Sequence, residues 1–233
     1  MFKFCQNHVL RIFLKIFMKK LLKFFITFLT FINIASAEEI KVFEFTEDEF
    51  KTLEVRKVRG ADSNTEYILG ANENGNFLKA VANNAASGLG KEIKIDLNKT
   101  PILNITWKVE KDLRGINERS KKGHDYAARV FVVKKTGATP LSNRAMNYVF
   151  SSNEDVNVSH PSPYTKKSID YVLATTKDNL NEWVTVKVNV KEHFKNFHNL
   201  ELDEINGVAI MADTDNSKLK SISYYQNIYF SAE

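Results

Sequence analysis

An acidic cluster, Asp213-Thr214-Asp215-Asn216, follows a short apolar stretch near the end of the sequence. Residues 207–212 are small or branched and apolar, and they have the length of one buried strand. Carboxylate and amide oxygens are the ligands that calcium takes in proteins. Asp213, Asp215 and Asn216 are therefore candidate ligands of a calcium ion. The alternative is a turn at the end of the strand, in which the Asp and Asn side chains hydrogen-bond to their own backbone.

A second polar pair lies in residues 125–133, an otherwise apolar stretch that predicts a strand. Asp125 and Arg129 share one face of this strand. Their ion pair is either structural, or it holds Arg129 ready for an anionic or sugar ligand. If the strand that ends at Asp213 pairs antiparallel with this one, Asp125 falls near Asp213 and Asp215. Three carboxylates so close repel one another unless a positive charge compensates them. We expect one polar cluster that either binds a divalent cation such as calcium or is neutralised by Arg129.

Four aromatic residues are candidates for a face on which a sugar ring stacks: Trp107, Tyr148, Tyr164 and Tyr224. Aromatic side chains also fill the cores of folded domains, and the core is the better interpretation for any one of them. The predicted ligand-binding set consists of these four residues together with Asp125 and Arg129.

The sequence of residues 38–233 lacks the familiar catalytic and nucleotide-binding motifs. Its four histidines do not show the HxH or HExxH spacing of zinc sites, and no GxSxG nucleophile motif is present. Residues 85–91 (AASGLGK) are small and contain two glycines, but they lack the spacing of a phosphate-binding loop. We interpret them as a bend between two strands.

The apolar pattern predicts a fold made of β-strands. About ten short stretches have the alternating or continuous apolar pattern of a strand, with turn residues between them. Only residues 191–200 (KEHFKNFHNL) favour a short helix, with Phe194 and Phe197 on its buried side. We therefore predict an all-β fold, a single β-sandwich of the jelly-roll type with one short helix, formed by residues 38–233.

The first 37 residues have the pattern of a secretory signal peptide. They contain six basic residues and no acidic one, then a mostly apolar run, and they end in the small-residue triplet Ala35-Ser36-Ala37. Met18 is an alternative start. We expect cleavage after Ala37, a periplasmic or secreted protein, and contact with a membrane only before cleavage. An uncleaved membrane anchor is the alternative.

Without this segment the chain is nearly neutral. Six of the 33 Lys and Arg residues lie in residues 1–37, so residues 38–233 carry 27 basic and 28 acidic residues, a formal charge of −1. Such a charge gives no support to nucleic-acid binding. The only cysteine, Cys5, also lies in the segment, so we expect a monomeric domain that folds without disulfides.

The chain contains seven blocks in this order: FLKAVANNAASGLGKEIKIDL, PILNITWKV, GHDYAARVFVV, RAMNYVFSS, PYT, INGVAIMADTDNS and SYYQNIYF. They resemble the bacterial exported proteins grouped as domain of unknown function family 3047. The resemblance implies an exported protein and no particular reaction. The sequence departs from the family's pattern at Ala212, where threonine is expected, and at His124-Asp125, where two acids are expected. More distantly, residues 183–188 (WVTVKV) and the closing YYQNI strand resemble galactose-binding-like jelly rolls. Many carbohydrate-binding modules have that fold, and some contain a structural calcium.

Two functions are compatible with these residues. The first is an exported envelope protein that binds a glycan or another polymer without catalysis. The second is an enzyme that acts on cell-envelope carbohydrate through paired carboxylates among Asp125, Asp213 and Asp215. Glycosidases hold two carboxyls roughly 5–5.5 Å or roughly 6.5–9.5 Å apart. An open groove with exposed aromatic side chains would favour binding, and a deep cleft with carboxylates at either spacing would favour catalysis. A purely structural role in the envelope predicts neither.

Overall fold

The computed structural model describes residues 38–233, which form thirteen strands, three short α-helices and one 3₁₀ turn. The strands are β1 Glu39–Phe43, β2 Glu54–Lys57, β3 Glu66–Asn72, β4 Gly75–Asn83, β5 Ala86–Asp96, β6 Ile102–Lys111, β7 Ala128–Lys134, β8 Arg144–Ser151, β9 Ser159–Ser162, β10 Thr165–Thr175, β11 Val184–Asn189, β12 Glu204–Asp213 and β13 Lys220–Ser231. The helices are α1 Glu47–Thr52, α2 Thr176–Asn179 and α3 Val190–His198, and the 3₁₀ turn is Pro140–Ser142. The predicted signal peptide, its cleavage site after Ala37 and the alternative start at Met18 lie outside the described residues.

The strands form two sheets. The six-stranded sheet has the order β11-β6-β13-β4-β3, and β1 pairs with the far end of β13. The seven-stranded sheet has the order β2-β5-β12-β7-β8-β10-β9. Neighbouring strands run antiparallel, except that β8 and β10 are parallel. The predicted β-sandwich of the jelly-roll type is confirmed.

The core lies between the two sheets and follows from alternation along the strands. In β12, Val208, Ile210 and Ala212 are buried at 0–1% exposure and belong to one continuous apolar cluster. Because successive side chains point to opposite faces, Met211 and Asp213 of the same strand lie on the outer face of the seven-stranded sheet. The predicted faces of this strand are confirmed, and the acidic end of β12 is thereby placed outside the apolar core.

The helical content differs from the prediction. Helix α3 confirms the helix predicted at residues 191–200, whereas α1 and α2 were not predicted. Helix α1 begins with the sequence pattern of a capping box, Thr46 to Glu49, and the Thr46 hydroxyl accepts a hydrogen bond from the Glu49 amide at 3.2 Å. The Glu49 carboxylate in turn accepts hydrogen bonds from the amides of Glu44 and Phe45, both at 2.7 Å.

All but the first of residues 85–91 are part of a strand, so the predicted bend over this stretch is wrong. Residues 86–91 belong to β5, which pairs with β2 and β12. A Cβ atom on Gly88 would lie 2.9 Å from the carbonyl oxygen of Ile210. The small residues that suggest a bend in the sequence therefore allow β12 to approach closely.

No helix of residues 38–233 combines the length and the apolar composition that a membrane-crossing segment needs.

Candidate functional site

The pairing of β7 with β12 brings the predicted acidic residues together. The two strands are antiparallel, and Arg129 lies opposite Met211. One carboxylate oxygen from each of Asp125, Asp213 and Asp215 lies within 4.8 Å of the others. The structure thus places the three acids and Arg129 in one polar cluster, with Asp125 and Asp213 buried and Asp215 half-buried.

Arg129 neutralises Asp213 in this cluster. Its Nε donates to Asp213 Oδ1 at 2.9 Å, and its Nη2 contacts Asp213 Oδ2, so the guanidinium binds both carboxylate oxygens. Nη2 also donates to the carbonyl oxygen of His124 at 3.1 Å. The guanidinium carbon lies 4.7 Å from the centre of the Tyr126 ring, and the amide of Tyr126 donates to Asp213 Oδ1 at 3.1 Å. A buried, bidentate pair of this kind is strongly oriented.

Asp125 organises the loop that follows β12. Its Oδ1 accepts hydrogen bonds from the Asn216 amide at 3.2 Å and from Asn216 Nδ2 at 2.8 Å, and its Oδ2 accepts one from the Ser217 amide at 2.5 Å. The remaining polar atom of the Asn216 side chain, Oδ1, accepts from the hydroxyl of Tyr164 at 2.6 Å. Asp125 and Asn216 therefore hold the loop after β12 against the start of β7 through internal hydrogen bonds.

Asp215 is the third acid of the cluster and forms no ion pair with any residue of 38–233 for which contacts are described. Burial, followed by the nearby charge of Asp125, raises the pKa of Asp215. Burial also raises the pKa of Asp213 to about 7, although Arg129 favours the ionised form of that carboxyl. Both carboxyls therefore hold a proton more readily than an exposed aspartate does.

A second buried network lies beside this cluster and was not predicted. His124 Nε2 is 2.7 Å from Asp170 Oδ2, and Asn147 Nδ2 donates to Asp170 Oδ1. Asn147 and Asp170 are partners across the parallel strands β8 and β10. Burial lowers the pKa of His124, while its contact with Asp170 opposes the shift. Alternation along the sequences of β8 and β10 is sufficient to predict that Asn147 and Asp170 lie on the outer face. Their contact depends on the pairing of the two strands.

The two networks line one groove on the outer face of the seven-stranded sheet, with a volume of about 560 Å³. Its lining consists of Val58, Arg59, Gly60, His124, Arg129, Phe131, Asn147, Ser162, Tyr164, Ser168, Met211, Asp213, Asp215 and Asn216. Tyr164 is the exposed aromatic residue of this lining, with 55% of its surface accessible. Its hydroxyl donates to Asn216 and also lies 3.1 Å from the Lys121 carbonyl oxygen, so its ring is fixed at the edge of the groove.

The other predicted aromatic ligands lie elsewhere. Trp107 and Tyr148 are completely buried in the core between the sheets, so their prediction as ligand-binding residues is wrong. Both occupy inward positions of their strands, where large apolar surface gains most from burial. Tyr224 lies on the outer face of the six-stranded sheet, where its ring centre is 5.6 Å from Phe77 and 6.0 Å from Trp183. Of the predicted ligand-binding residues, the groove contains Arg129 and Tyr164, with Asp125 supporting its loop.

Sequence comparison assigns a family to the chain. The model of a family described as "Protein of unknown function (DUF3047)" matches residues 51–229. The chain belongs to this family. The match includes every residue that lines the groove, and it confirms the resemblance drawn from the sequence blocks. No curated protein matches the chain.

Solved structures of carbohydrate-binding and carbohydrate-degrading proteins are similar to the chain in fold. A family 30 carbohydrate-binding module of a cellulosomal cellulase from Clostridium thermocellum shares 7% identity, with 84% of this chain and 98% of that chain covered and a TM-score of 0.49. Endoglucanase 3 of family GH12 from Trichoderma harzianum shares 6% identity over 84% and 97% of the two chains, with a TM-score of 0.41. Similarity at this level gives no information about the ligand or reaction of this protein.

Proposed function

We propose that the protein binds a glycan, or another polymer rich in hydroxyl groups, in the groove of the seven-stranded sheet and does not cleave it. The observation that carries this proposal is an open groove in which polar side chains, held by internal hydrogen bonds, lie beside the apolar side chains of Phe131 and Met211. A site of this kind recognises a ligand through a few fixed polar groups and an aromatic surface.

The available groups of the groove suit a sugar. Nε and Nη2 of Arg129 donate hydrogen bonds to Asp213 and to the carbonyl oxygen of His124. Its Nη1 makes no hydrogen bond to a described residue. Nη1 therefore has donors to offer to a hydroxyl or ring oxygen. The exposed ring of Tyr164 offers an apolar face at the edge of the same groove, because an aromatic ring combines a large contact area with little conformational freedom to lose.

Binding is favoured over catalysis because the closest carboxylates already have partners. A glycosidase needs one carboxyl to give a proton and a second to act as nucleophile or base. Both oxygens of Asp213 contact Arg129, and both oxygens of Asp125 accept hydrogen bonds from the loop of Asn216 and Ser217. Of the three acids, Asp215 alone has no such partner among the described residues, and one carboxylate does not complete a glycosidase pair.

The test is binding of the purified protein to a panel of soluble polysaccharides by affinity electrophoresis and calorimetry. We expect at least one glycan to bind, and Tyr164→Ala to weaken it about tenfold through lost stacking. Tyr229→Ala is the matched control, since Tyr229 is a half-buried tyrosine of the six-stranded sheet. The proposal fails if no glycan binds, or if the two variants have equal effects.

An enzyme of cell-envelope carbohydrate is the second candidate, and a specific observation favours it. The pKa of Asp213 is raised to about 7, and Asp215 lies within 4.8 Å of it. A carboxyl that holds its proton near neutral pH is suited to act as a general acid. Release of reducing ends from a bound glycan, lost in both Asp213→Asn and Asp215→Asn, would establish catalysis and refute the purely binding function.

We further infer that the protein works in the periplasm or as a secreted protein, on the basis of the signal-peptide pattern of residues 1–37. Mass spectrometry of periplasmic or secreted material should find an N-terminus at Glu38. An intact N-terminus recovered in the membrane fraction would contradict this inference.

A further inference from the structure

An unpaired positive charge borders the groove at one edge of the sheet. Arg59, which follows the edge strand β2, is an exposed residue of the groove lining. It forms no ion pair and no side-chain hydrogen bond with any residue of the part of the chain that the structure describes. By contrast, nearby Arg56 lies 3.7 Å from Glu54. The guanidinium of Arg59 is therefore available to a ligand in the groove.

Further unpaired positive charges lie at the side of the groove formed by Tyr164. Lys121 Nζ lies 5.7 Å from the centre of the Tyr164 ring. Lys166 is exposed and lies two residues from both Tyr164 and Ser168, which line the groove. Neither lysine forms an ion pair within residues 38–233. The groove thus has unpaired cations on both sides, near the β2 edge and near the turn between β9 and β10.

The negative charges of the groove are less exposed than these cations. Asp213 is paired with Arg129, and Asp125 and Asp170 are buried and accept hydrogen bonds from neighbouring side chains. Asp215 is half-buried and is the lining carboxylate without an ion pair among the described residues. The three cations at the sides of the groove are exposed, so they are more accessible to a ligand than these carboxylates. Because residues 38–233 together have a formal charge of −1, this exposed positive charge is a local property of the sides of the groove and not of residues 38–233 as a whole.

We propose that the groove selects an anionic glycan, a polysaccharide whose sugars carry carboxylate groups, over its uncharged counterpart. This inference rests on the proposed function and adds the class of ligand. The cations at the two sides would attract carboxylates of successive sugars, since complementary charge raises both association rate and selectivity. Arg129 Nη1 and the Tyr164 ring would hold the sugar between them. A nucleic acid is disfavoured, because single-stranded nucleic acids need a row of stacking aromatics, and Tyr164 is the exposed aromatic residue of this lining.

The test compares polygalacturonate with its methyl-esterified form, which has the same backbone without the charges. At low ionic strength we expect the purified protein to bind polygalacturonate about tenfold more tightly, and to lose this preference as salt screens the charges. Arg59→Gln and Lys166→Gln should each weaken polygalacturonate binding about two- to fivefold and leave the ester unaffected. Asp215→Asn should strengthen polygalacturonate binding by a similar factor.

Lys187→Gln is the matched control, since Lys187 is an exposed residue of β11 in the other sheet, without an ion pair among the described residues. It should bind both polymers as the wild type does. Equal binding of the two polymers by the wild type, or equal effects of Arg59→Gln and Lys187→Gln, would overturn the selection of anions and leave glycan binding intact. Failure to bind either polymer or any other glycan would instead refute the proposed function. Single-stranded DNA bound as tightly as polygalacturonate would overturn the assignment to a glycan.

Discussion

Replacing Arg129 with methionine should destabilise the protein by about 3–5 kcal/mol, because the Asp213 carboxylate then stays buried without its counter-ion. The side chains of both residues are only 3% exposed, so water solvates the carboxylate poorly once the guanidinium is removed. Asp213 would keep the hydrogen bond from the Tyr126 amide and lose both contacts with the guanidinium. The loss of stability should therefore be larger than that caused by removal of an exposed ion pair.

The expected loss can be measured as a shift in thermal midpoint. For a domain of this size, each kcal/mol lowers the midpoint by about 2–4 °C, so the variant should unfold roughly 6–20 °C below the wild type. The loss should be smaller at pH 5.5 than at pH 8. Burial already raises the pKa of Asp213 to about 7, and removal of Arg129 raises it further, so at low pH a proton neutralises the carboxyl that has lost its partner.

Two further variants make this test decisive. Arg129→Met combined with Asp213→Leu should recover much of the loss, because an apolar pair of similar size replaces the ion pair. Lys135→Met is the control, since Lys135 pairs with Glu92 at 3.0 Å with 51% and 69% of the side chains exposed, and it should cost less than about 1 kcal/mol. The reasoning is refuted if Arg129→Met costs no more than Lys135→Met, or if the double variant is no more stable than the single one.

Three other predictions concern pH, packing and calcium. Burial lowers the pKa of His193 from 6.5 to about 4, so its contribution to the free energy of unfolding is complete above pH 6.5 and is lost as the pH falls towards 4. We expect the free energy of unfolding to decline by about 1–2 kcal/mol over this pH range, after allowance for the partial exposure of His193. Urea unfolding of His193→Phe should lack this decline. Parallel pH profiles of the variant and the wild type would contradict the prediction. Gly123→Ala should lower the free energy of unfolding by about 1–3 kcal/mol, because a Cβ there would lie 2.6 Å from the Asn117 backbone oxygen. Gly207→Ala, where the nearest atom to a Cβ would be 3.4 Å away, should lower it clearly less in the same assay. Equal losses in the two variants would argue against the packing explanation. Calcium binding stays a prediction. It would be supported by a thermal midpoint that rises with calcium and falls with chelator in the wild type but not in Asp213→Asn. A midpoint that neither calcium nor chelator changes would support neutralisation by Arg129 alone.

The local pattern of the sequence was sufficient for the fold class and for the location of one polar cluster. Alternation along residues 207–213 separates a buried face from an outer face that ends in Asp213, and the structure has these faces. The same alternation, with antiparallel pairing of β12 and β7, brings Asp125 near Asp213 and Asp215. Such inferences succeed because strand periodicity is fixed by the backbone and does not depend on distant residues.

Other local signals in the sequence are compatible with more than one structure. The capping box of Thr46 and Glu49 marks the start of α1, yet the helix is so short that its apolar period is not visible. Residues 86–91 are small because β12 passes close to Gly88, and a sequence does not distinguish such an approach from a bend. Alternation separates the two faces of the strand that contains Trp107 but does not indicate which face is buried, so the sequence leaves Trp107 as both a core residue and a candidate ligand-binding residue.

The groove itself was decided by the tertiary structure. His124 meets Asp170, 46 positions later in the chain, because β8 and β10 pair in parallel, and no local pattern specifies that pairing. Arg59 and Tyr164 line one groove although they stand at opposite ends of the strand order. The pairing of Arg129 with Asp213 is also determined by the tertiary structure. Residue types show which charges attract each other, but the energy of a buried pair depends on distance and on exclusion of water, and both are set only when the sheets have packed.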